Sequence, residues 1–524
     1  VKGTTFLKGA LILTLAGIMV KVLGAANRIL LSRMLGGEGI GLYQMSYPIY
    51  ILFLSIIGAG IPIAVSIMIA DEAAKGTQGH VQGVFRVILT FVVGIAILCG
   101  ILFALSAHVF IAFSFVRDDR ALPSLLILAP ALTLSIIACS FRGYFQGLQQ
   151  MIPTAISQIA DQGIRVLTML VFAAIGLSHG LMWGAVGAAA GAIPGAIAGT
   201  VVIIGWYYYQ HRPKVEAAVA VSVSSSMVIK RLITLAIPVA AANMLLPLIA
   251  SIDLFIVPKQ LEVAGYTVHE ATALFGYLSG MANGVIQVPA ILTIALATNL
   301  VPAVSSAYTQ GNIEVITSRM NTSIRLAHVI TIPAFCGLSV LAVPISILLY
   351  NTPLAGPAIR VLSISIVLLG MQQLTSGLLQ GMGRTAIPLW NMIIGAIVKV
   401  FLSWHLTAMP TLGEVGAAWA TNADLAIAAG LNLYFARKLV HYQVPWKYLG
   451  RVCIAAIIMT VVVGGIYVIC NPYMGNAMAT ILAIILGVIC YGISLFAVKA
   501  VCREDVGHLP CIHHHVMPSK KETE

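Results

Sequence analysis

The sequence predicts an all-α polytopic membrane protein with fourteen transmembrane helices, arranged as two pseudo-symmetric six-helix lobes with two further helices appended. Three observations carry the prediction. Sixty per cent of the 524 residues are hydrophobic, only 9% are charged, and mean hydropathy is +0.99, so a soluble domain of this length would have no surface to present to water. The apolar residues fall into fourteen runs, each long enough to cross a hydrocarbon core of ~30 Å. Short motifs also recur at an offset of 234 or 235 residues.

The first six runs, 7–31, 42–70, 84–108, 121–146, 153–178 and 183–207, make a predicted N-terminal lobe over residues 1–207. The first is longer than a signal-peptide core and has no small-x-small site before polar sequence, so it is expected to stay as an anchor. The turn after it, Gly36-Gly37-Glu38-Gly39-Ile40-Gly41, lacks the strand and the Lys-Ser/Thr of a phosphate loop and reads as a helix end and tight external turn. The longest polar stretch, residues 208–228, separates this lobe from runs 229–257, 270–303, 323–350, 356–381, 386–408 and 414–438, the predicted second lobe over 229–438. Runs 448–470 and 475–501 give helices thirteen and fourteen in a segment 439–501, followed by a polar tail, 502–524. The division rests on the repeat: Phe145-Gln146-Gly147-Leu148 closes the fourth run and Leu379-Gln380-Gly381-Met382 the tenth, with Pro153 and Pro388 opening the runs that follow. Six is an even number, so the second copy re-enters the membrane with the same orientation, as in transporters built from parallel repeats.

The formal charge of +12 suggests a polyanion, but the cations sit where topology puts them. With the N-terminus inside, twenty of the 29 Lys and Arg fall at cytoplasmic ends, five at outer ends and four within the membrane. Both termini and the linker 208–228 are therefore expected in the cytoplasm, with no nucleic-acid partner. Eight cysteines occur without a CxxC, so neither a disulfide framework nor a zinc site is indicated. Cys511 beside His513, His514 and His515 is the one ligand-like cluster, and in a polar tail it reads as incidental.

Candidate functional residues come from charges that a bilayer penalises. Lys21 and Arg28 stand seven residues apart, on nearly the same helical face as Gly17 and Gly24. A cation at mid-bilayer costs roughly 2.5–3.5 kcal/mol on insertion scales, so this stripe should face a wet bundle interior or an anion. Arg165 and Lys399 are separated by the repeat offset, and are expected at equivalent places in the two lobes. The plainer reading is that Arg165 neutralises Asp161, one turn earlier, and that Lys399 snorkels to an interface. Asp253 in the seventh run is a candidate for ion coupling or gating, or a group that satisfies backbone near Pro258 and Lys259. Asp424 has no evident partner in the sequence.

The stretches FLKGALILTLAGIMVKVLGAANRILLSRMLGGEGIGLYQM, GIPIAVS followed by ADEAAKG, FRGYFQGLQQMIPTAISQ and SIDLFIVPKQL, in that order, resemble the stage V sporulation protein B branch of the polysaccharide-transporter family. That branch is similar to MurJ-type lipid II flippases, within the multidrug/oligosaccharidyl-lipid/polysaccharide exporter superfamily. The resemblance runs over roughly residues 5–500. It implies two lobes around a central cavity lined by helices one, two, seven and eight, and export of an undecaprenyl-linked sugar across the bacterial cytoplasmic membrane. Two features depart from the pattern: runs 42–70 and 270–303 contain no Lys or Arg, and the eleventh run offers Asn391 and Lys399 where some relatives hold a cation with a carboxylate.

A lipid pyrophosphate needs fixed cations along a protein-lined path, the role expected of Lys21, Arg28, Arg165 and Lys399. The expected partners are a lipid-linked saccharide pyrophosphate, membrane lipids and cell-wall synthesis proteins. No enzyme is expected, because no loop is long enough for a catalytic domain, and no cofactor, because no nucleotide motif is present. Two alternatives remain. One is an ion-coupled exporter of cationic drugs, whose cavity should be acidic; the other is a non-transporting membrane scaffold, which gains nothing from buried charge.

Overall fold

The computed structural model describes residues 2–58, 60–75, 78–210, 224–440, 442 and 446–498. The middle of the predicted linker, 211–223, and the tail 502–524 with Cys502, Cys511 and His513 to His515 lie outside the described residues. Among the described residues the chain is helical and without strands. The helices are α1 (Lys2–Gly58), α2 (Gly60–Ala74), α3 (Gln78–Ala112), α4 (Leu122–Gly147), α5 (Met151–Leu177), α6 (Leu181–Ala190) and α7 (Ala192–Gln210). After the linker come α8 (Ser225–Val263), α9 (Val268–Phe275), a π-helical turn (Gly276–Ala282), α10 (Asn283–Thr309), α11 (Ile313–Val340) and α12 (Ala342–Tyr350). The remainder is α13 (Gly356–Leu362), α14 (Ser365–Gly381), α15 (Ala386–Leu406), α16 (Glu414–Val440) and α17 (Trp446–Ala497).

Eleven helical stretches among the described residues are long and apolar enough to cross a membrane. Two of them contain a break: α1 turns at Gly36 (φ 67°) and α17 at Gly475 (φ 72°), a left-handed geometry that glycine adopts without steric cost. Gly36 thus makes the tight turn expected after the first run. Glu414–Val440 has the length of a span but falls outside those eleven. The count of fourteen crossings stays a reading of the sequence.

The sequence repeat has a structural counterpart. At the end of α4, Leu148 (φ −82°, ψ 5°) and Gln149 (φ 59°) close the helix, with Gln150 N–H donating to the Phe145 carbonyl at 2.8 Å. At the end of α14, Met382 (φ −81°, ψ 5°) and Gly383 (φ 75°) do the same, with Arg384 N–H donating to the Leu379 carbonyl at 2.9 Å. Both are left-handed caps that satisfy the last free carbonyls. Close helix crossings repeat as well. A Cβ on Gly143 or Gly147 would stand 2.6 and 2.7 Å from the carbonyls of Pro62 and Ser66; one on Gly377 or Gly381 would stand 3.1 and 2.8 Å from those of Ala297 and Val301.

Packing divides the chain into two compact units, Val1–Val285 with Val400–Ala417, and Ile286–Lys399 with Ala418–Glu524. This is a different division from the one at 208–228, which follows the repeat. Unit one runs past the linker because α8, α9 and the π-helical turn pack against α1. Residues 400–417 join it where Lys259 Nζ lies 5.2 Å from the Trp404 ring and Gly413 meets Tyr266. In unit two, α17 packs on α11 and α12, with Tyr491 donating to the Val329 carbonyl of α11 at 3.0 Å and Asn476 to the Pro344 carbonyl of α12 at 3.1 Å. Such side-chain bonds to backbone carbonyls supply specificity where apolar surface alone gives little, since lipid tails are as apolar as leucine.

Candidate functional site

Within unit one, α1 and α5 bring part of the predicted basic stripe together with a second cation. Gly24 faces α5, its Cβ position 3.5 Å from Gln162 Nε2, and buried Asn27 donates to Met169 Sδ at 3.3 Å. Lys21 is exposed and Arg28 half-buried. Arg165, only 7% exposed, donates to Asp161 Oδ1 at 3.0 Å, as the plainer reading expected. That pair is one part of a larger cluster. Arg142 of α4 reaches the other oxygen of Asp161 at 3.4 Å and donates to Ser157 Oγ at 3.2 Å, and Ser157 donates to the Gly199 carbonyl at 2.8 Å. Two guanidiniums therefore share one carboxylate. The α7 glycines make room: a Cβ on Gly195 would stand 2.6 Å from the Arg165 Cβ, and one on Gly199 2.8 Å from the Asp161 Cβ.

Beyond the Gly36 turn, α1 presents a ladder of tyrosines. Tyr43 and Tyr47 stack at 5.2 Å, Tyr47 and Tyr50 follow at 5.6 Å, and the Tyr50 hydroxyl is 3.1 Å from Ser135 Oγ. The structure thus joins Arg142 and Arg165 at Asp161, and carries in the same unit a row of phenols on α1 that can hydrogen-bond an anion. Sequence reasoning missed Arg142 and the tyrosines. The signal for Arg142 was its place four residues inside the end of the run 121–146, where a cation needs a partner.

Unit two holds a different polar cluster. Buried Asn391 of α15 donates to Asn432 Oδ1 at 2.8 Å, and Asn432 of α16 donates to Ser376 Oγ at 2.9 Å. Lys399 is buried on the same face of α15, two turns beyond Asn391. Asp424 is buried on α16 beside Gly395. In unit one, Asp253 is half-buried on α8.

A second feature of unit one is a polar latch built from connections between spans. The α8-to-α9 connection turns at Gly265 (φ 103°), and a capping box of Thr267 and Glu270 starts α9. From this hairpin Glu262 pairs with Arg117, Thr272 donates to Asp118 Oδ2 at 2.9 Å, and His269 Nδ1 lies 2.7 Å from Glu38 Oε1. Arg120 joins both sides, at 2.6 Å from Asp118 and 2.8 Å from Glu38. Below it the backbones touch: a Cβ on Gly276 would overlap the Gly37 carbonyl, and one on Gly41 the Thr272 carbonyl. The π-helical turn shifts its backbone pairing, and Gln44 Nε2 donates to the Ser279 carbonyl at 2.9 Å.

The latch carries a pH expectation. Burial alone would raise the Asp118 carboxyl, but hydrogen bonds from Arg120 and Thr272 outweigh it and hold the group below the usual carboxylate range. Burial likewise opposes the hydrogen bonds from His269 and Arg120 at Glu38, whose carboxyl is also lowered. A depressed folded-state value contributes stability that is present above the unfolded value and lost as pH falls through the folded one. The melting temperature of the purified protein should therefore fall as the medium is acidified below about pH 4. Asp118→Asn should lower the melting temperature at neutral pH and flatten that acid dependence; an unchanged acid limb would show that the latch contributes nothing.

The helical membrane fold, with its buried cations and glycine-paired crossings, is one that solved membrane transporters share. The chain superposes on a lipid II flippase MurJ in an inward closed conformation with a TM-score of 0.70 at 14% identity, over 93% of this chain and 99% of that one. It superposes on an inward-facing multidrug resistance transporter of the MATE family, within the MOP superfamily, with a TM-score of 0.66 at 17% identity, over 80% and 94%. The family model for polysaccharide biosynthesis proteins matches residues 6–308, and the chain belongs to that family; the MatE model matches residues 262–405. Stage V sporulation protein B of Bacillus subtilis (strain 168) is 28% identical over 444 residues, 84% of this chain and 86% of the relative. Lipid II flippase MurJ of the same organism is 25% identical over 479 residues, 87% of each. The protein is a multi-pass membrane protein of the polysaccharide biosynthesis protein family, with a fold shared with transporters of the MOP superfamily.

Proposed function

We propose that this transporter flips an undecaprenyl-linked cell-wall or polysaccharide precursor, lipid II-like in its pyrophosphate head, across the bacterial cytoplasmic membrane by alternating access. The observation that carries the reading is the surplus of positive charge at membrane depth in unit one. Two guanidiniums share Asp161, and Arg28 and Lys21 add two further cations on α1 of the same unit. A cation exporter would need the opposite balance, because a buried cation must meet fixed anions. Lys21, Arg28, Arg165 and Lys399 take the head group in this reading, and Asp253 serves coupling or gating. The chain acts as a carrier and makes or breaks no covalent bond. The latch from Arg117, Asp118 and Arg120 to Glu262, Thr272 and Glu38 supports an outer closure that opens for release. The test is reconstitution into vesicles with a lipid-linked oligosaccharide in one arm and a cationic dye in the other. Flipping of the first supports the proposal; movement of the dye alone replaces it with the drug-exporter reading.

The orientation belongs to the same proposal, with both termini and the linker 208–228 in the cytoplasm. Impermeant thiol reagents applied to intact cells should leave Cys502 and Cys511 unmodified until the cells are permeabilised. Labelling from outside would reverse the topology.

A further inference from the structure

The repeat aligns four positions of the polar clusters: Arg142 with Ser376, Ser157 with Asn391, Asp161 with Gly395, and Arg165 with Lys399, each 234 residues apart. In unit one the carboxylate stands on the same helix as its cation, one turn earlier, and glycines on the neighbouring α7 make room for it. In unit two the arrangement is inverted. The carboxylate position on α15 is Gly395, and a Cβ there would overlap Asp424 Oδ1 and stand 2.8 Å from the Asp424 carbonyl. The contacts Asn391 with Asn432 and Gly395 with Asp424 show that α15 and α16 run antiparallel at this crossing. Side chains lean toward the N-terminus of their own helix, so Asp424 leans along α15 from Gly395 toward Lys399, and Lys399 leans back toward Gly395. Lys399 is 4% exposed and Asp424 8% exposed. Buried charges at this depth are held by opposite charge.

We infer that Asp424 is the counter-charge that positions Lys399, supplied from the adjacent helix in place of the repeat's own carboxylate. The two sites are then symmetric in position and unequal in charge. Arg142, Arg165 and Asp161 leave one positive charge over in unit one, whereas Lys399 and Asp424 cancel in unit two. The sequence had given Asp424 no role. The inference stands whether or not Lys399 touches a transported head group.

The test is a double-substitution cycle on the purified full-length protein in detergent. Asp424→Asn should lower the melting temperature by several degrees, because it leaves a buried ammonium uncompensated. In the Lys399→Met background the same substitution should cost little or nothing. A purely steric role for Asp424 would give equal losses in both backgrounds and overturn the inference, as would a single variant with unchanged melting. If Asp424→Asn yields no folded protein, recovery of folded protein in the Lys399→Met/Asp424→Asn double variant supports the inference, and failure of both overturns it.

Discussion

Replacing Arg28 by alanine should reduce flipping of a lipid-linked saccharide roughly 10- to 150-fold, the equivalent of one charge-assisted hydrogen bond of about 1.5–3 kcal/mol, while leaving the protein in the membrane at normal levels. The side chain is half-buried on the glycine-bearing face of α1, in the same unit as the cluster of Arg142, Asp161 and Arg165. It is thus placed to bind an anion without being needed to hold α1 in place, which Asn27 and the glycine crossings do. Arg28→Lys should recover part of the rate, because an ammonium restores the charge but cannot copy the fork of a guanidinium. Lys21→Ala should behave like Arg28→Ala. Initial rates in vesicles, normalised to protein inserted, decide the matter: near-normal flipping by both alanine variants would remove the central claim, and loss of the protein from the membrane would make the cations structural.

Asp161→Ala should have the opposite signature, a large loss of stability. It removes the one carboxylate between Arg142 and Arg165, whose side chains are 14% and 8% exposed. Removing one partner of a buried ion pair typically costs about 3–5 kcal/mol, because the remaining charge stays desolvated. The expected result is a sharp fall in melting temperature in detergent and reduced membrane levels. Asp161→Asn should be milder, since the amide oxygen still accepts a hydrogen bond from one guanidinium. If Asp161→Ala melts with the wild-type protein, the cluster is solvated well enough that neither cation needs the carboxylate, and its burial contributes nothing to stability.

Some of this was legible in the sequence because it depends on local periodicity. Apolar runs of helical length, the glycines that turn the chain at Gly36 and the caps after α4 and α14 follow from composition and from residues within a few positions of each other. The pair Asp161 and Arg165 was readable for the same reason, at four residues apart on one helix. Lys21 and Arg28 could be named as a shared face, but their different burial could not, since that depends on which neighbour packs against each turn of α1.

Only the tertiary structure revealed the groups whose members come from different helices. Arg142 reaches Asp161 across a turn; Asp424 stands over Gly395 on the adjacent helix; the latch draws Glu38, Arg117, Asp118, Arg120, Glu262 and His269 from three separate connections. In the sequence those latch residues read as cations and anions of external turns, ordinary markers of topology. Whether a loop charge is solvated or paired is set by distance in space, and a chain of helices can bring any two of its connections together. By itself, then, the sequence determined that this chain is a membrane-embedded helical repeat with cations it must shelter. The packing of α4 and α5 against α7 decided which of those cations meet a carboxylate, because Arg142 and Asp161 come from different helices and the space they share exists only where Gly195 and Gly199 lack a side chain.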